Sequence, residues 1–401
     1  MMRRRAFLSL LGLASGAAAA AALPAHRAAA NGGIRGTGDL GIVVERATGS
    51  LLVIDTSSRR SIARIEGLGD LSHASAVFSR CQRYAYVFGR DGGLTKVDLL
   101  EAQISGRVLQ AGNSIGGAIS DDGRIIAAAN YDPGGVRLFD AVNLEPLAEI
   151  PAAFGGGQRS KVVGLEDAPR RTFVFSLYDA GEIWMADCSD PTHPAIKRFP
   201  DIGSLPYDAL ISEDGRHYIV GLFGEDGLVH IDLWAEELKP RRILSNYGRG
   251  EEKLPVYKMP HLEGWAHAGD RFLLPAIGRS EVLVCDAASF LEIGRVSVHS
   301  QPVFVEARPD GRHAWVNFAH PKNDTVQVID AQSLEVVHEM KPGPAVLHME
   351  FTGRGHEVWI SVRDADRIDV YDTHSFAKVA EIAAQKPSGI FFTARAHRIG
   401  M

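Results

Sequence analysis

The stretch SHASAVFSRCQRYAYVFGRDGGLTKVD, Ser72 to Asp98, holds the unit from which this chain is built. Ala76-Val77-Phe78 reads as a short apolar strand, Ser79 to Arg83 as a turn, and Tyr84 to Phe88 as a second strand. A tight loop, Gly89 to Gly93, then leads to a third strand that ends on an aspartate. That last strand recurs along the chain: LLVID at Asp55, LTKVD at Asp98, VRLFD at Asp140, IWMAD at Asp187, LVHID at Asp232, VLVCD at Asp286, VQVID at Asp330 and IDVYD at Asp372. The successive spacings are 43, 42, 47, 45, 54, 44 and 42 residues, close to one four-stranded propeller blade each. Asp-Gly at Asp122, Asp214 and Asp310 supplies the hairpin turns, because glycine accepts positive φ. The 24 residues from Asn31 to Asp55 and the 29 from Asp372 to Met401 together amount to about one more blade. The expectation is an all-β, eight-bladed β-propeller over 31–401, its ring closed by the C-terminal strand in SGIFFTARAHR pairing beside DLGIVVER.

Residues 1–30, MMRRRAFLSLLGLASGAAAAAALPAHRAAA, combine a basic start, an apolar Leu/Ala run and small residues before Asn31, the layout of an export signal. Arg4-Arg5 fits the twin-arginine pattern and places the mature protein in the periplasm. Removing the leader strips four arginines and no acid, which takes the formal charge from −6 to −10 and argues against nucleic acid as a partner. Cys81, Cys188 and Cys285 are widely spaced, with no Cys-x-x-Cys-His, so there is no attachment site for a covalent haem c. They read as packing residues.

In a closed propeller, the loops entering the innermost strands share one face with the loops joining second and third strands. That face collects His73, Arg90, Asp91, Asn130 to Asp132, Arg159, Lys161, Tyr178, Asp179, His261, His320 and Arg363. Gly36-x-Gly38-x-x-Gly41 matches the dinucleotide fingerprint in letters, but a strand follows it where a helix is required, so no nucleotide is expected. Gly155 to Lys161 lacks the phosphate-loop spacing and reads as a loop carrying Arg159 and Lys161 toward the channel. Local signatures of hydrolases and zinc proteases are missing. Histidine plus cations around a pore suits a flat iron macrocycle with several carboxylates, which needs an imidazole on the metal and Arg or Lys at its edge. His73 is open to two readings, a structural imidazole or that metal ligand.

Ser72 to Leu100 closely resembles the second blade of the haem d1 domain of cytochrome cd1 nitrite reductase in its His, Arg-Tyr, Gly-Arg-Asp-Gly and Asp-Leu. The similarity extends through all eight blades, including PHLEGWAHAGDRF in blade six. The reductase and its NirN-type dehydrogenase paralogue carry a haem c domain ahead of the propeller, and this chain has none, so it is identified as a member of the NirF family of haem d1 biosynthesis proteins. The resemblance implies haem d1 or its dihydro precursor as bound substrate or product, His73 as the axial metal ligand, Arg90 with Asp91 in the turn beside it, and Arg159 or Lys161 on a macrocycle carboxylate; Asn130, His261 and Arg363, on the same face, complete the expected binding residues. Where the reductase has a nitrite-site histidine, this chain has Gln301-Pro302-Val303, which argues against nitrite reduction. His320 is the distal substitute, and His320, Asp132 or Tyr178 would move protons during side-chain modification. A carrier that delivers d1 to the reductase needs the same site, so catalyst and carrier both stay open. Implied partners are cytochrome cd1 nitrite reductase and a NirN-type dehydrogenase or another c-type cytochrome, with a homodimer also allowed.

Overall fold

The computed structural model describes residues 36–247, 264–276 and 279–399. They form eight four-stranded antiparallel sheets, numbered here as blades 1 to 8 in chain order. Blade 2 runs from inside to outside as Ser75–Phe78, Tyr84–Phe88, Gly93–Asp98 and Gln103–Leu109. The innermost strands of blades 3 to 8 are Asn113–Ile119, Val162–Ala168, Pro206–Ile211, Ala266–Ala268, Pro302–Ala307 and Val346–Phe351. Blade 1 takes its innermost strand, Pro387–Phe392, from the C-terminus, paired antiparallel with Leu40–Glu45. The ring is therefore closed as the sequence implies, and the edge that an open array would leave unpaired is covered. A small extra hairpin, Ala153–Phe154 with Gln158–Arg159, stands between blades 3 and 4.

The recurring aspartate has a local cause. It ends the third strand and folds its carboxylate onto the next backbone N–H groups, as an Asx turn does. Asp98 accepts from Leu100 and Glu101 at 3.0 and 3.2 Å, Asp330 from Gln332 and Ser333 at 2.9 and 3.0 Å, and Asp372 from His374 and Ser375 at 3.1 and 2.8 Å. Arginines at the preceding turn clamp three of them: Arg83 on Asp98, Arg216 on Asp232 and Arg312 on Asp330. The Arg216 bond is the main reason that the Asp232 carboxyl titrates low, at about 2.

Middle strands are buried on both faces because each blade packs between two others. The apolar clusters accordingly span neighbouring blades, as with Val53 of blade 1 and Val87 of blade 2, or Leu138 of blade 3 and Phe175 of blade 4. Cys188 and Cys285 are buried among these layers, as expected, and burial pushes both thiols up to about 12. Cys81 departs from the packing expectation. It is exposed, 3.2 Å from the Ser79 hydroxyl. Gly41 belongs to the closing seam: a Cβ there would fall 2.6 Å from the Phe392 ring. No helix among the described residues is long and apolar enough to cross a membrane.

Candidate functional site

His73 is presented by a folded turn. The Asp70 carboxylate accepts the Ser72 N–H at 2.8 Å, and bonding to Ser72 lowers the Asp70 carboxyl below its ordinary range. The Arg90 N–H donates to the Asp70 carbonyl at 2.8 Å, which docks this turn on the Gly89–Gly93 loop. Close approach there requires glycine at 69, at φ +85, where a Cβ would meet the Asp91 carboxylate at 2.2 Å. His73 itself is exposed. It lines an open cavity of about 110 Å³ in the channel, together with Gly116, Gly164, Tyr207, Asp208 and Arg395.

The rim above the cavity has a two-part chemistry. At the rim end of the second strands stand Arg363 in blade 8, Arg46 in blade 1 and Arg90 in blade 2, then Tyr131, Tyr178 and Phe223 in blades 3, 4 and 5. Burial, and next the Arg363 guanidinium, hold Arg46 below the usual arginine range. Neither Arg46 nor Arg90 forms an ion pair with a carboxylate among the described residues, whereas Arg363 is bonded to Asp364 at 2.8 Å. The aromatic side is continuous: Tyr178 lies 6.0 Å from Tyr207 and 6.3 Å from Phe223, ring centre to ring centre. The Tyr131 hydroxyl donates to that of Tyr207 at 3.2 Å, and desolvation raises both phenols above their ordinary range. A concave surface with cations on one side and aromatic faces on the other can hold a flat, acidic, partly apolar ring.

The other residues expected from sequence fall in varied places. Lys161 is at the rim, bonded to Asp179 at 2.9 Å with its ammonium 5.2 Å over the Tyr178 ring. Asp132, the last residue of the strand Ile125–Asp132, and His320, on the turn after His313–Phe318, are both exposed. Asp91 serves the scaffold through Arg107 at 2.7 Å and the Gly93 N–H at 3.0 Å. Asn130 is fully buried, its amide locked to that of Gln110 by two hydrogen bonds of 2.8 and 3.0 Å. Arg159 corrects the expectation that its loop points inward. It sits on the extra hairpin and bonds outward to Glu149 on the outer strand of blade 3. His261 lies outside the described residues.

Sequence reasoning missed Arg46, Tyr207 and Asp208. For Arg46 a signal existed, since Arg46, Tyr131, Tyr178, Phe223 and Arg363 each stand nine residues before a marker aspartate.

Eight blades around a channel, with an exposed histidine on a cavity wall below rim arginines and aromatics, define the class as a β-propeller with an open channel site. The family model described as Cytochrome D1 heme domain matches residues 35–396. Protein NirF of Pseudomonas aeruginosa is 59% identical over 370 residues, covering 92% of this chain and 94% of that protein. Protein NirF of Stutzerimonas stutzeri is 58% identical over 370 residues, covering 92% of this chain and 95% of that protein. Among solved structures, dihydro-haem d1 dehydrogenase NirN in complex with DHE superposes with a TM-score of 0.78 at 29% identity, covering 90% of this chain and 76% of that one. The chain belongs to the NirF family, within the cytochrome d1 haem-domain proteins, and its role lies in haem d1 biosynthesis or handling.

Proposed function

We propose that the chain binds haem d1 or its dihydro precursor in the central channel, with His73 toward the iron, and takes part in modifying the side chains of the macrocycle before nitrite reductase receives it. The observation that carries this reading is the placement of His73: an exposed imidazole lining the channel cavity, below a rim where Arg46 and Arg90 have no carboxylate partner among the described residues. A buried structural imidazole would instead be enclosed by the fold. The residues present fit the group, since an imidazole, edge cations and aromatic walls are what an acidic iron macrocycle requires. When bound, the macrocycle supplies the conjugated, redox-active centre. The protein's own residues orient it: Arg46, Arg90 and Lys161 meet carboxylates, and Tyr131, Tyr178 and Phe223 cover apolar edge. That the solved NirN relative holds DHE supports the choice of ligand.

The export-signal layout of 1–30 and its twin arginines support the periplasm as the site of this work. A net oxidation or reduction there sends electrons to a separate partner, either a c-type cytochrome, the reductase or a NirN-type dehydrogenase. The test is incubation of purified protein with haem d1 and with dihydro-haem d1 while spectra are recorded over time. A time-dependent conversion is expected, and a shifted band that never changes assigns carriage in its place.

A further inference from the structure

Six of the inner strands carry a β-bulge, visible as a register shift between Val43 and Glu45 against the closing strand in blade 1, Ser114 and Gly116 in blade 3, Val163 and Glu166 in blade 4, Pro206 and Ala209 in blade 5, Pro302 and Val305 in blade 7, and Val346 and Met349 in blade 8. A bulge lifts residues out of the ladder and re-aims them. The bulged residues include Gly389, Gly164, Asp208, Phe304 and His348 in those blades, and they are unequal in bulk. On one side of the channel Phe304 packs on His348 at 5.5 Å and His348 on Phe391 at 5.5 Å, forming an aromatic wall over blades 7, 8 and 1. On the other side Gly116 and Gly164 present no side chain, and glycine is required at 164, where φ is +53 and a Cβ would come 2.6 Å from Ala209. The cavity is accordingly lined mostly from blades 2 to 5, with Phe391 at the edge of the aromatic wall and Arg395 beside it.

Asp208 is the one carboxylate among the described residues that line this cavity, which it shares with His73. Its charge is felt at the Tyr131 and Tyr207 phenols, where it acts against that of Arg90. Arg395, the other charged group on the cavity wall, is already bonded to Glu350 at 2.8 Å. We propose that Asp208 is the proton-accepting group of the channel. Resting on the reading that the macrocycle binds beside His73, Asp208 faces the ligand's edge and takes a proton from an acidic C–H of a ring substituent. The C–H bond breaks, the proton passes to a carboxylate oxygen of Asp208, and the electron pair stays in the conjugated ligand. Return of a proton reverses the step with no net oxidation, so it is visible as exchange with solvent.

The experiment uses the whole exported protein with dihydro-haem d1 as probe, in D2O, with mass spectrometry of the extracted ligand and a spectral titration of binding. The parent should bind and introduce carbon-bound deuterium faster than free solution does. Asp208→Asn, which keeps the shape, should bind the probe within about threefold of the parent while exchange slows by roughly a hundredfold or more. Asp208→Glu should recover part of the exchange. Parental exchange in Asp208→Asn, or binding by the parent without exchange above free ligand, overturns the assignment. Should the Asn variant misfold, Asp208→Ser takes its place, and parental exchange in that variant overturns the assignment. Failure of the parent to bind removes the channel reading itself, and this inference with it.

Discussion

Replacing Arg46 by methionine separates a ligand-binding cation from a structural one. The substitution keeps most of the aliphatic stem and deletes the guanidinium. In the free protein that charge is disfavoured both by burial and by Arg363, the two effects that hold Arg46 below its ordinary range. No carboxylate among the described residues pairs with it. Its removal should therefore leave the apo melting temperature unchanged or raise it, in the manner of sites that trade stability for function. With ligand bound, the same charge faces a macrocycle carboxylate, and a hydrogen bond to a charged group contributes ~1.5 to 3 kcal/mol. Affinity should fall roughly tenfold to over a hundredfold. Spectral titration with haem d1, paired with thermal melts of the apo proteins, reads both quantities. The reasoning is refuted if Arg46→Met binds as tightly as the parent. A melting point lowered by about 2 °C or more would instead show Arg46 to be structural.

Further outcomes follow from individual contacts. Arg159→Ala should leave d1 affinity unchanged, since Arg159 is bonded outward to Glu149, and a tenfold weakening in the titration would place it at the site after all. Gly36→Ala with Gly38→Ala should keep full function in complementation, because a Cβ meets nothing within 4 Å at Gly36 and only the Gln82 side chain at 3.6 Å at Gly38. Loss of function in a folded, exported double variant would revive the nucleotide motif. His230 is 2% exposed, accepts from Arg241 at 2.9 Å and is held at about 4, chiefly by burial. A depressed folded value means stability that is complete above about pH 6.5 and is lost as the pH falls toward 4, on the order of 2 kcal/mol at pH 4.5. Urea midpoints of the parent should fall over that window, and those of His230→Gln should fall less. Equal slopes would contradict the sign.

The fold was legible because its cues are local. Each marker aspartate turns its own chain, each Asp-Gly closes its own hairpin, and the alternation of strands needs no partner to be read. Ring closure followed from counting residues at the two ends. The site was legible where a loop residue stands beside a recognisable turn, as His73 and Arg90 do. It was hidden where position depends on register. Arg46 occupies the rim position of Arg363, but the equivalent loop in blade 2 is one residue shorter and the pattern breaks there. Asp208 reaches the channel through a bulge, and a bulge leaves no trace in strand periodicity. Arg159 was misdirected because nothing in Gly155 to Lys161 announces the two-residue strands that turn it toward Glu149. Asn130 looked like a polar loop residue, yet its one good partner, Gln110, lies twenty residues back across a blade connection.

The central claim is that His73 holds the macrocycle in the channel, and the most direct measurement is the spectrum of haem d1 bound to His73→Ala. His73 is exposed and lies outside the apolar cluster between blades 1 and 2, so the apo variant should melt close to the parent. Its d1 spectrum should lose the signature of an imidazole-ligated species, and added imidazole should restore it. A folded His73→Ala protein whose bound d1 shows the parental spectrum would contradict the assignment and direct attention to His320.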